Sequence, residues 1–538
     1  MLCSAVMYNK LFTLAVAVII VSISIAYLIK IKSHVTDSMA ANGLLFVSSA
    51  AKTCNFGLKS SKFVKNILYI KYLDGKENAL SIINKQIVNI YSKAAVQTSN
   101  IDVRLLLKPI EDQQKIKTNH AIDLILYERS LDKNLEDLKK SVSNLNRGCQ
   151  TQMIDSDNNG EFFDSQPVKM YDYVALGGTF DRLHNGHKIL LSQAALRAKK
   201  HVTVGVTDVN MIKSKVLWEL IEPVEKRIKA VHDFLTDINP DLEYNVLPIQ
   251  DMYGPTKDDP NIQLIVVSEE TARAVGKINQ KRKENNLQPL DEYVIAIAQD
   301  DKRSSEEEAK LSSSNQRMRL LGTMLRPPQP NPNIPKSPYV IGLTGGIASG
   351  KSNITEKLKL KGAAVVNCDL IAHDLYKPGL PLNRTLAETF GSDIITPNGE
   401  VDRKKLGQIV FSDKSQLERL NQTVWPAIIE EARNRIRVLG EQGYKVVVME
   451  AAVMVRAKWY EYCHQLWAVI VPPEEAIKRL QVRNNQTEEE AKQRVEAQPT
   501  NSEQIAMANI VFSPYWSYEY TQQQIDRAWE NLQPYLSE

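Results

Sequence analysis

A chain of 538 residues is too long for a single ordinary hydrophobic core, so two or three domains of about 100 to 200 residues each are expected. Hydrophobic residues make up 43% of the chain and charged residues 24%, which excludes both an intrinsically disordered protein and one embedded in a membrane throughout its length. The formal net charge of +4 is too small at this length to indicate nucleic-acid binding. The five cysteines are scattered and include no C-x-x-C pair, which indicates a reducing compartment and neither a disulfide framework nor a zinc site.

The N-terminal segment contains an apolar run, residues 11–29, with Lys10 before it and Lys30 and Lys32 after it. As an α-helix this run would be about 28 Å long, close to the ~30 Å hydrocarbon thickness of a bilayer. We therefore predict a membrane anchor within residues 1–35. A cleaved secretory signal is the alternative, but the run is long for one and no small-x-small cleavage site follows it directly. The basic residues after the run favour a cytosolic location for the rest of the chain.

Residues 36–168 have a mixed α/β pattern without a constellation of catalytic residues. Residues 63–72 are typical of a strand and residues 78–95 of a helix. The polar, acidic stretch 155–164 is typical of a linker. It is similar to the start of a calcium-binding EF-hand loop but lacks the glutamate at the twelfth position, so calcium binding is not predicted. The sequence does not indicate what this region does.

The first chemical motif is the glycine turn 177–187, with the sequence GGTFDRLHNGH, between a predicted strand at 171–176 and a predicted helix at 188–199. Histidines His184 and His187 at a helix N-terminus suit an α-phosphate on which negative charge develops. A metal site formed by the two histidines is one alternative, but no further ligand lies at a metal-like spacing. A pair of histidines that only cap the helix is the other.

A second segment, residues 310–317 with the sequence KLSSSNQR, places three serines at the start of a predicted helix, where hydroxyls and free N–H groups can bind phosphates. A plain N-cap run is the alternative. Between the two motifs, residues 202–206 and 262–268 are predicted strands and residues 223–235 a predicted helix, the pattern of a doubly wound sheet. The proline-rich stretch 326–338 is predicted to be an extended, semi-rigid spacer that marks a domain boundary.

Beyond the spacer, residues 345–352 fit the P-loop pattern G-x-x-x-x-G-K-S, between a predicted strand at 339–341 and a predicted helix at 352–360. The glycines let backbone N–H groups face a phosphate, Lys351 can reach the β- and γ-phosphates, and Ser352 can ligate Mg²⁺. An accidental glycine-rich turn is the alternative, but strand, loop and helix all agree with a P-loop.

Two acidic residues are predicted to lie at the sheet edge that faces the P-loop. Asp369 follows the predicted strand 363–366 and can accept a proton from an acceptor hydroxyl, or serve only as a helix N-cap. Glu450 ends the predicted strand 446–450. Residues 475–498 form basic predicted helices with a polar interruption, which is typical of a mobile lid that brings arginines over phosphates. A solvated pair of basic helices is the alternative.

The first motif resembles the T-x-x-x-H-x-G-H signature of the nucleotidylyltransferase superfamily, specifically of phosphopantetheine adenylyltransferases, and the serine segment resembles the second motif of that superfamily. The P-loop half resembles dephospho-CoA kinases, in the P-loop, in residues 369–372 (DLIA) and in residues 493–498 (QRVEAQ). Over residues 170–538, the order of the two halves resembles the bifunctional coenzyme A synthases of animals. The positions that depart from the kinase pattern are Asn367, Trp425 and Asn509.

The resemblance implies adenylyl transfer from ATP to 4′-phosphopantetheine, followed by ATP-dependent phosphorylation of the ribose 3′-hydroxyl of dephospho-CoA. It implies that His187 stabilises charge on the α-phosphate, that Lys351 neutralises charge, and that Asp369 acts as the base. The residues implied to bind ATP are Gly177, Thr179, Phe180, His184, Ser312, Ser313, Ser314, Arg317, Gly345, Gly346, Ile347, Ala348, Ser349, Gly350, Lys351 and Ser352. The candidates for binding the other substrates are Lys213, Lys215, Arg479, Arg483 and Arg494, with ordinary surface lysines as the alternative for the first two. Mg²⁺ is implied at Ser352.

The predicted fold class is therefore α/β, with an anchor (1–35), an α/β region and linker (36–168), a Rossmann-like nucleotidylyltransferase domain (169–325), the spacer (326–338) and a P-loop kinase domain (339–538). The expected partners are ATP, 4′-phosphopantetheine, dephospho-CoA and, through the anchor, a membrane, but no nucleic acid. The expected location is the cytosolic face of the mitochondrial outer membrane, or the soluble cytoplasm if the N-terminal segment is absent. The alternative function is a membrane-anchored nucleotide-binding scaffold in which one or neither domain is active.

Overall fold

The computed structural model of the protein describes residues 39–48, 59–73, 79–97, 101–108, 115–155, 167–411 and 413–536. The predicted anchor at residues 11–29 lies outside these ranges. Within them, no helix combines the length and the apolar composition that a membrane crossing requires. The chain forms two compact units. Of the described residues, one unit comprises those between 39 and 215 together with 222–303 and 308–313, and the other comprises 216–221, 304–307 and those between 314 and 536.

The first unit contains two five-stranded sheets, and all of their described strand pairs are parallel. The strands of the first sheet are β1 (Ala40–Val47), β2 (Val64–Tyr72), β3 (Asp102–Leu106), β4 (Ile122–Glu128) and β5 (Leu145–Ile154), in the order β3-β2-β1-β4-β5. Helix α1 (Ala79–Gln97) lies between β2 and β3, and α2 (Leu135–Lys140) between β4 and β5. The C-terminal part of β1 is entirely buried, as expected of a parallel strand that is covered on both faces.

The second sheet carries the predicted histidine motif. Its strands are β6 (Tyr171–Gly178), β7 (Ala198–Thr207), β8 (Glu243–Ile249), β9 (Leu264–Ser268) and β10 (Asp291–Ile295), in the order β10-β9-β6-β7-β8. The helices that follow its strands are α3 (Asn185–Arg197), α4 (Val224–Ile238) and α5 (Arg273–Glu284). Every residue of α3 from Lys188 to Arg197 is buried, so this helix has no solvent-facing side.

One hydrophobic core joins the two sheets of the first unit. It includes Ile87 and Tyr91 of α1, Leu191 of α3 and Phe234 of α4. The rings of Tyr91 and Phe234 lie 6.4 Å apart between centroids. Burying a side chain of this size stabilises a fold by about 2 kcal/mol. The two sheets therefore stabilise each other through shared apolar contacts.

The second unit contains one five-stranded parallel sheet with helices on both faces. Its strands are β11 (Tyr339–Gly345), β12 (Ala364–Asn367), β13 (Val446–Glu450), β14 (Gln465–Val469) and β15 (Ile510–Phe512), in the order β12-β13-β11-β14-β15. Helix α6 (Ser313–Leu320) begins at the last residue of the first unit and continues in the second. The other helices are α7 (Lys351–Leu360), α8 (Cys368–Leu375), α9 (Pro381–Phe390), α10 (Arg403–Phe411), α11 (Lys414–Glu441), α12 (Pro473–Asn484), α13 (Glu488–Glu496), α14 (Asn501–Met507) and α15 (Tyr518–Leu536).

The predicted α/β class is confirmed, and the predicted strands that flank both motifs are present. One boundary differs: α3 ends at Arg197 and β7 begins at once, whereas the sequence predicts that the helix continues to Lys199.

The spacer 326–338 also differs from a free linker. The Arg326 guanidinium donates to the Ile505 carbonyl at 2.7 Å, and Asn331 donates to the Glu461 carbonyl at 2.7 Å, so the spacer is held against the second unit.

Two candidate nucleotide sites

The loop after β6 is held in a strained conformation. Phe180 and Arg182 have φ angles of 51° and 46°, in the left-handed region that non-glycine residues seldom adopt. Asp181 lies between them and is fully buried. Its carboxylate accepts a hydrogen bond from the Glu222 N–H at 3.0 Å, and its carbonyl accepts one from Ser313 Oγ at 3.1 Å. Strained residues that are fixed in this way by their surroundings are typical of binding sites.

The two predicted histidines meet at the start of α3. The His184 and His187 rings stack with their centroids 3.7 Å apart, and the Phe180 ring lies 5.2 Å from that of His187. A Cβ on Gly186 would lie 3.1 Å from the His184 ring, which is closer than about nine in ten observed contacts. A side chain at this position would therefore press on the histidine stack.

His187 is neutral at neutral pH in the ligand-free chain. Burial lowers its pKa well below 6.5, and electrostatic interactions with the neighbouring His184 and Lys215 lower the pKa further. Among the residues that the structure describes, its Nδ1 has no hydrogen-bond partner although it is out of contact with solvent. A ring with these properties at a helix N-terminus suits a phosphate oxygen, whose charge would satisfy both the ring and the free amides of the first turn.

Arg227 of α4 supports the loop and is not predicted from the sequence. Its guanidinium donates to the carbonyls of Thr179 at 2.7 Å, Thr207 at 3.0 Å and Glu222 at 2.8 Å. Only 1% of Arg227 is exposed. One signal was available: Arg227 lies on the same helical face as the buried Val231 and thus interrupts an apolar stripe with a charge that needs partners.

The structure brings some of the other predicted ligands of this site together. Ser313 Oγ lies 3.4 Å from His184 Nε2. Lys213 and Lys215 are exposed after β7, and only Lys215 influences His187. The rest lie on the elements predicted for them: Gly177 and Thr179 at the end of β6, Ser312 just before α6, and Ser314 and Arg317 on α6 in the second compact unit.

The P-loop joins β11 to α7 as predicted. Gly345 has no room for a side chain, since a Cβ there would lie 2.6 Å from the Val469 carbonyl oxygen and 2.7 Å from Ser349 Oγ. The Lys351 ammonium donates to the carbonyls of Gly345 at 2.7 Å and Gly346 at 3.1 Å. Lys351 thus lies folded over the loop, where a β- or γ-phosphate would replace these carbonyls as its partner.

A cleft of about 760 Å³ opens beside the P-loop and contains most of the residues predicted for this half. The predicted residues that line it are Ile347, Ala348, Ser349, Gly350, Lys351, Ser352, Asp369, Arg479 and Arg483. Glu450, Glu475, Lys478 and Gln498 also line the cleft. Arg494 is exposed on α13, where it donates to Gln486 Oε1 at 3.1 Å, and does not line the cleft. Its predicted role in substrate binding stays a prediction.

Asp369 is exposed in the first turn of α8 and is not the N-cap of that helix. The N-cap is Asn367, whose side-chain oxygen accepts from the Leu370 N–H at 3.0 Å. The Asn367 amide also donates to Glu450 at 3.3 Å. Burial raises the pKa of Glu450, the Lys351 charge opposes that rise, and the Asp369 charge adds to it. The exposed Asp369 carboxylate and the buried Glu450 carboxyl therefore share the cleft with Lys351, and the charge of each acts on that lysine.

Two departures from the kinase pattern have structural roles in the second unit. Asn509 accepts from the Leu466 N–H at 2.8 Å and donates to the Arg326 carbonyl at 3.1 Å, so it ties β14 to the spacer. Trp425 of α11 packs edge-on against Trp459 with the ring centroids 6.5 Å apart. Neither residue lines the cleft beside the P-loop.

The residues present suit Mg²⁺ bound together with a nucleotide. In the described part of the chain, no group of three or more His, Cys, Asp or Glu side chains is arranged to hold a metal alone. Mg²⁺ prefers oxygen ligands and is commonly bound by one or two protein groups together with water and phosphate. The hydroxyl of Ser352 and the carboxylate of Asp369 supply such oxygens in one cleft.

Comparison with known proteins gives a family match for each site. Residues 339–514 match dephospho-CoA kinase, and residues 175–319 match the cytidylyltransferase-like family. A dephospho-CoA kinase of Carboxydothermus hydrogenoformans is 39% identical over 186 residues, which are 35% of this chain and 90% of that protein. A dephospho-CoA kinase of Syntrophus aciditrophicus is 36% identical over 193 residues, 36% of this chain and 82% of that protein. One of Geobacter sulfurreducens is 35% identical over 195 residues, 36% of this chain and 99% of that protein.

Proposed function

Since the chain belongs to the dephospho-CoA kinase family, we propose how its two sites act in succession. The chain is a bifunctional enzyme of the last two steps of coenzyme A biosynthesis, with a nucleotidyltransferase site and a kinase site. The observation that carries the proposal is that each matched region contains a phosphate-binding helix N-terminus with its charged or polar residues in place. These are the histidine stack on α3 and the P-loop before α7.

In the first step, a 4′-phosphate oxygen of phosphopantetheine attacks the α-phosphorus of ATP. A new P–O bond forms, the bond between the α-phosphorus and the bridging oxygen breaks, and pyrophosphate leaves. No covalent intermediate with the chain is needed because the attacking phosphate is already ionised. His187 donates a hydrogen bond to the α-phosphate, and the charge that develops there favours protonation of its ring. His184, Ser312 and Ser313 hold ATP, while Lys215 attracts the incoming phosphate.

In the second step, the ribose 3′-hydroxyl of dephospho-CoA attacks the γ-phosphorus of a second ATP. A new P–O bond forms, the bond between the γ-phosphorus and the β–γ bridging oxygen breaks, and ADP leaves. Asp369 accepts or orients the hydroxyl proton, since it is the exposed carboxylate of the cleft. Lys351 turns from the loop carbonyls to the β- and γ-phosphates, and Arg479 and Arg483 neutralise charge from the lid side. Ser352 with Asp369 would hold Mg²⁺, which would supply positive charge that neutralises the phosphates.

A time course with the full chain tests both steps. The reaction contains 4′-phosphopantetheine, ATP and Mg²⁺, and the products are followed by mass. Dephospho-CoA is expected first and coenzyme A later. His187→Ala should abolish adenylyl transfer to phosphopantetheine but still convert added dephospho-CoA. Lys351→Ala should abolish only the conversion of dephospho-CoA. If ATP binds but the unmodified chain forms neither product, a nucleotide-binding scaffold replaces the enzyme. If both variants lose both reactions, the assignment of one site to each half is wrong.

We also propose that residues 11–29 anchor the chain in a membrane with the enzymatic halves in the cytosol, at the mitochondrial outer membrane in cells that have one. The support is the length of the apolar run and the lysines after it. The full chain should resist extraction from membranes by alkaline carbonate and remain open to external protease, and deletion of residues 1–35 should release it. Extraction of the full chain by carbonate would overturn this proposal.

A further inference from the structure

The two sheets of the first unit repeat one topology. In each, the first strand is central, the second and third lie on one side of it, and the fourth and fifth lie on the other. In each, a helix lies between the second and third strands and another between the fourth and fifth. Residues 39–154 thus have the strand order of the nucleotidyltransferase sheet that follows them. Their only histidine is His120, and no histidine occurs between β1 and β2, where the second copy carries its catalytic pair.

The first copy is packed against the helix that bears the histidines. Gln193 of α3 donates to the Asn84 carbonyl at 3.1 Å, and Arg197 of α3 donates to the Asn84 side chain at 3.1 Å. The other face of α3 lies on its own sheet, which is why the helix is buried on all sides. At the edge of the first sheet, the Leu107 N–H donates to the Ile238 carbonyl at 2.8 Å and thereby satisfies the C-terminus of α4.

A network of four mostly buried charges joins the copies beside the histidines, with 32% of the Asp102 side chain exposed. Lys188, the residue after His187, donates to Asp102 Oδ1 at 2.5 Å. Asp102 also accepts from Arg104 at 2.7 Å, and Arg104 in turn pairs with the fully buried Asp237 of α4. Only 6% of the Lys188 side chain is exposed. The network contains two positive and two negative charges, so each buried charge has an opposite partner.

We propose that residues 39–154 are a non-catalytic copy of the nucleotidyltransferase fold that holds the histidine helix, with Asp102 as the residue that positions its first turn through Lys188. The inference rests on the proposed adenylyl transfer at His187. The Lys188 side chain can reach Asp102 only if the first turn of α3 keeps its rotation about the helix axis. The same rotation aims His187, the adjacent residue, at the phosphate site.

The test compares Asp102→Asn with Asp155→Asn in the full chain. Both changes remove one acidic charge, but Asp155, the residue directly after the first copy, pairs with Arg129 at 2.5 Å where both side chains are more than half exposed. We expect Asp102→Asn to lower kcat of adenylyl transfer about tenfold and to change KM for ATP by no more than about twofold. The reason is that the variant loses the orientation of His187 but keeps the binding of ATP. Asp155→Asn should behave as the unmodified chain. Equal kcat values for the two variants would overturn the inference.

The double variant Asp102→Asn with Lys188→Met covers the case in which Asp102→Asn alone fails to fold, because it leaves no unpaired lysine. If the two residues act as one unit, the double variant should have about the same kcat as Lys188→Met alone rather than a further multiplicative loss. Phosphorylation of added dephospho-CoA, measured in the same samples, should be unchanged in all variants. Multiplicative losses would overturn the inference, whereas absence of adenylyl transfer in the unmodified chain would refute the proposed function itself.

Discussion

Gln498 Oε1 accepts a hydrogen bond from the Ile347 N–H at 2.5 Å, so the residue that follows the lid helices lies on the P-loop in the ligand-free chain. Ile347 is one of the loop residues whose amides are available to an ATP phosphate. Binding of ATP therefore exchanges a bond to a neutral amide oxygen for one to a charged phosphate oxygen, which is the stronger of the two. A phosphate can therefore bind the Ile347 N–H only when Gln498, at the end of the lid, releases that N–H.

Gln498→Glu should weaken ATP binding at the kinase site. The carboxylate would keep the Ile347 amide through a charge-assisted bond and would also repel the incoming phosphate. We expect KM for ATP in the phosphorylation of dephospho-CoA to rise roughly tenfold. Gln493→Glu is the matched control, since Gln493 is exposed on α13 and contacts Glu489 rather than the P-loop. A KM that rises equally in both variants would mean that lid charge, and not the contact with Ile347, causes the effect.

Arg227→Met should impair adenylyl transfer and leave the kinase reaction intact. The change leaves three carbonyls without their donor, which is expected to lower the free energy of unfolding by about 3 kcal/mol and to loosen the loop that carries Thr179. Arg227→Lys should restore little of the lost adenylyl transfer, because an ammonium cannot reproduce a planar guanidinium that donates to three carbonyls at once. Lys226→Met, on the exposed side of the same helix, should be neutral. Full activity of Arg227→Lys would contradict this role.

The first unit should lose stability below about pH 6.5 because of His187. The pKa of this histidine is lower in the folded chain than its ordinary value of 6.5, so between the two values the unfolded chain binds a proton that the folded chain does not. Stability contributed by His187 is complete above 6.5 and falls as the pH falls, by about 1 kcal/mol for the first pH unit. The unfolding midpoint at about pH 5.5 and about pH 8 should therefore differ less for His187→Gln than for the unmodified chain. His232→Gln, at an exposed position on α4, should keep the full difference.

Asn367→Asp should shift the pH profile of the kinase reaction. Aspartate caps α8 as well as asparagine does, but it replaces the amide that donates to Glu450 with a second negative charge. The pKa of Glu450, already raised by burial, should rise further. If the reaction requires ionised Glu450, its acid limb moves to higher pH. Asn367→Ser, which keeps a capping oxygen without adding charge, should shift the limb less. An unmoved limb in both variants would show that Glu450 is not needed in its ionised form.

The sequence was most informative where a site is local along the chain. The P-loop and the histidine turn each lie within about a dozen residues, and their backbone conformation is determined by glycines and helix termini that can be identified from composition. Asp369 and Glu450 could be predicted to lie near each other because the carboxyl ends of parallel strands meet at one sheet edge, and both line the cleft beside the P-loop.

Long-range partners could not be predicted in the same way. Arg227 reaches Thr179 from a distant helix, and nothing in either segment specifies the pairing. The repeat of topology in residues 39–154 was missed because strand order depends on which edges pair, and the first copy lacks the histidine motif that would have revealed its relation to the second. Helix α3 is covered on both faces, so its sequence lacks the polar stripe by which surface helices are identified.

Helices α3 and α4 pack on the first copy, and this packing has a consequence during synthesis of the chain. Residues 39–154 are synthesised before Leu191 and Ile238. Until those residues are made, strand β3 and the apolar side of α1 are exposed to solvent without their packing partners. An unpaired strand edge next to bare apolar surface is a template for association with other chains. We therefore expect nascent chains that stop between β5 and α4 to be bound by chaperones or to aggregate, and chains that extend past Ile238 to become soluble.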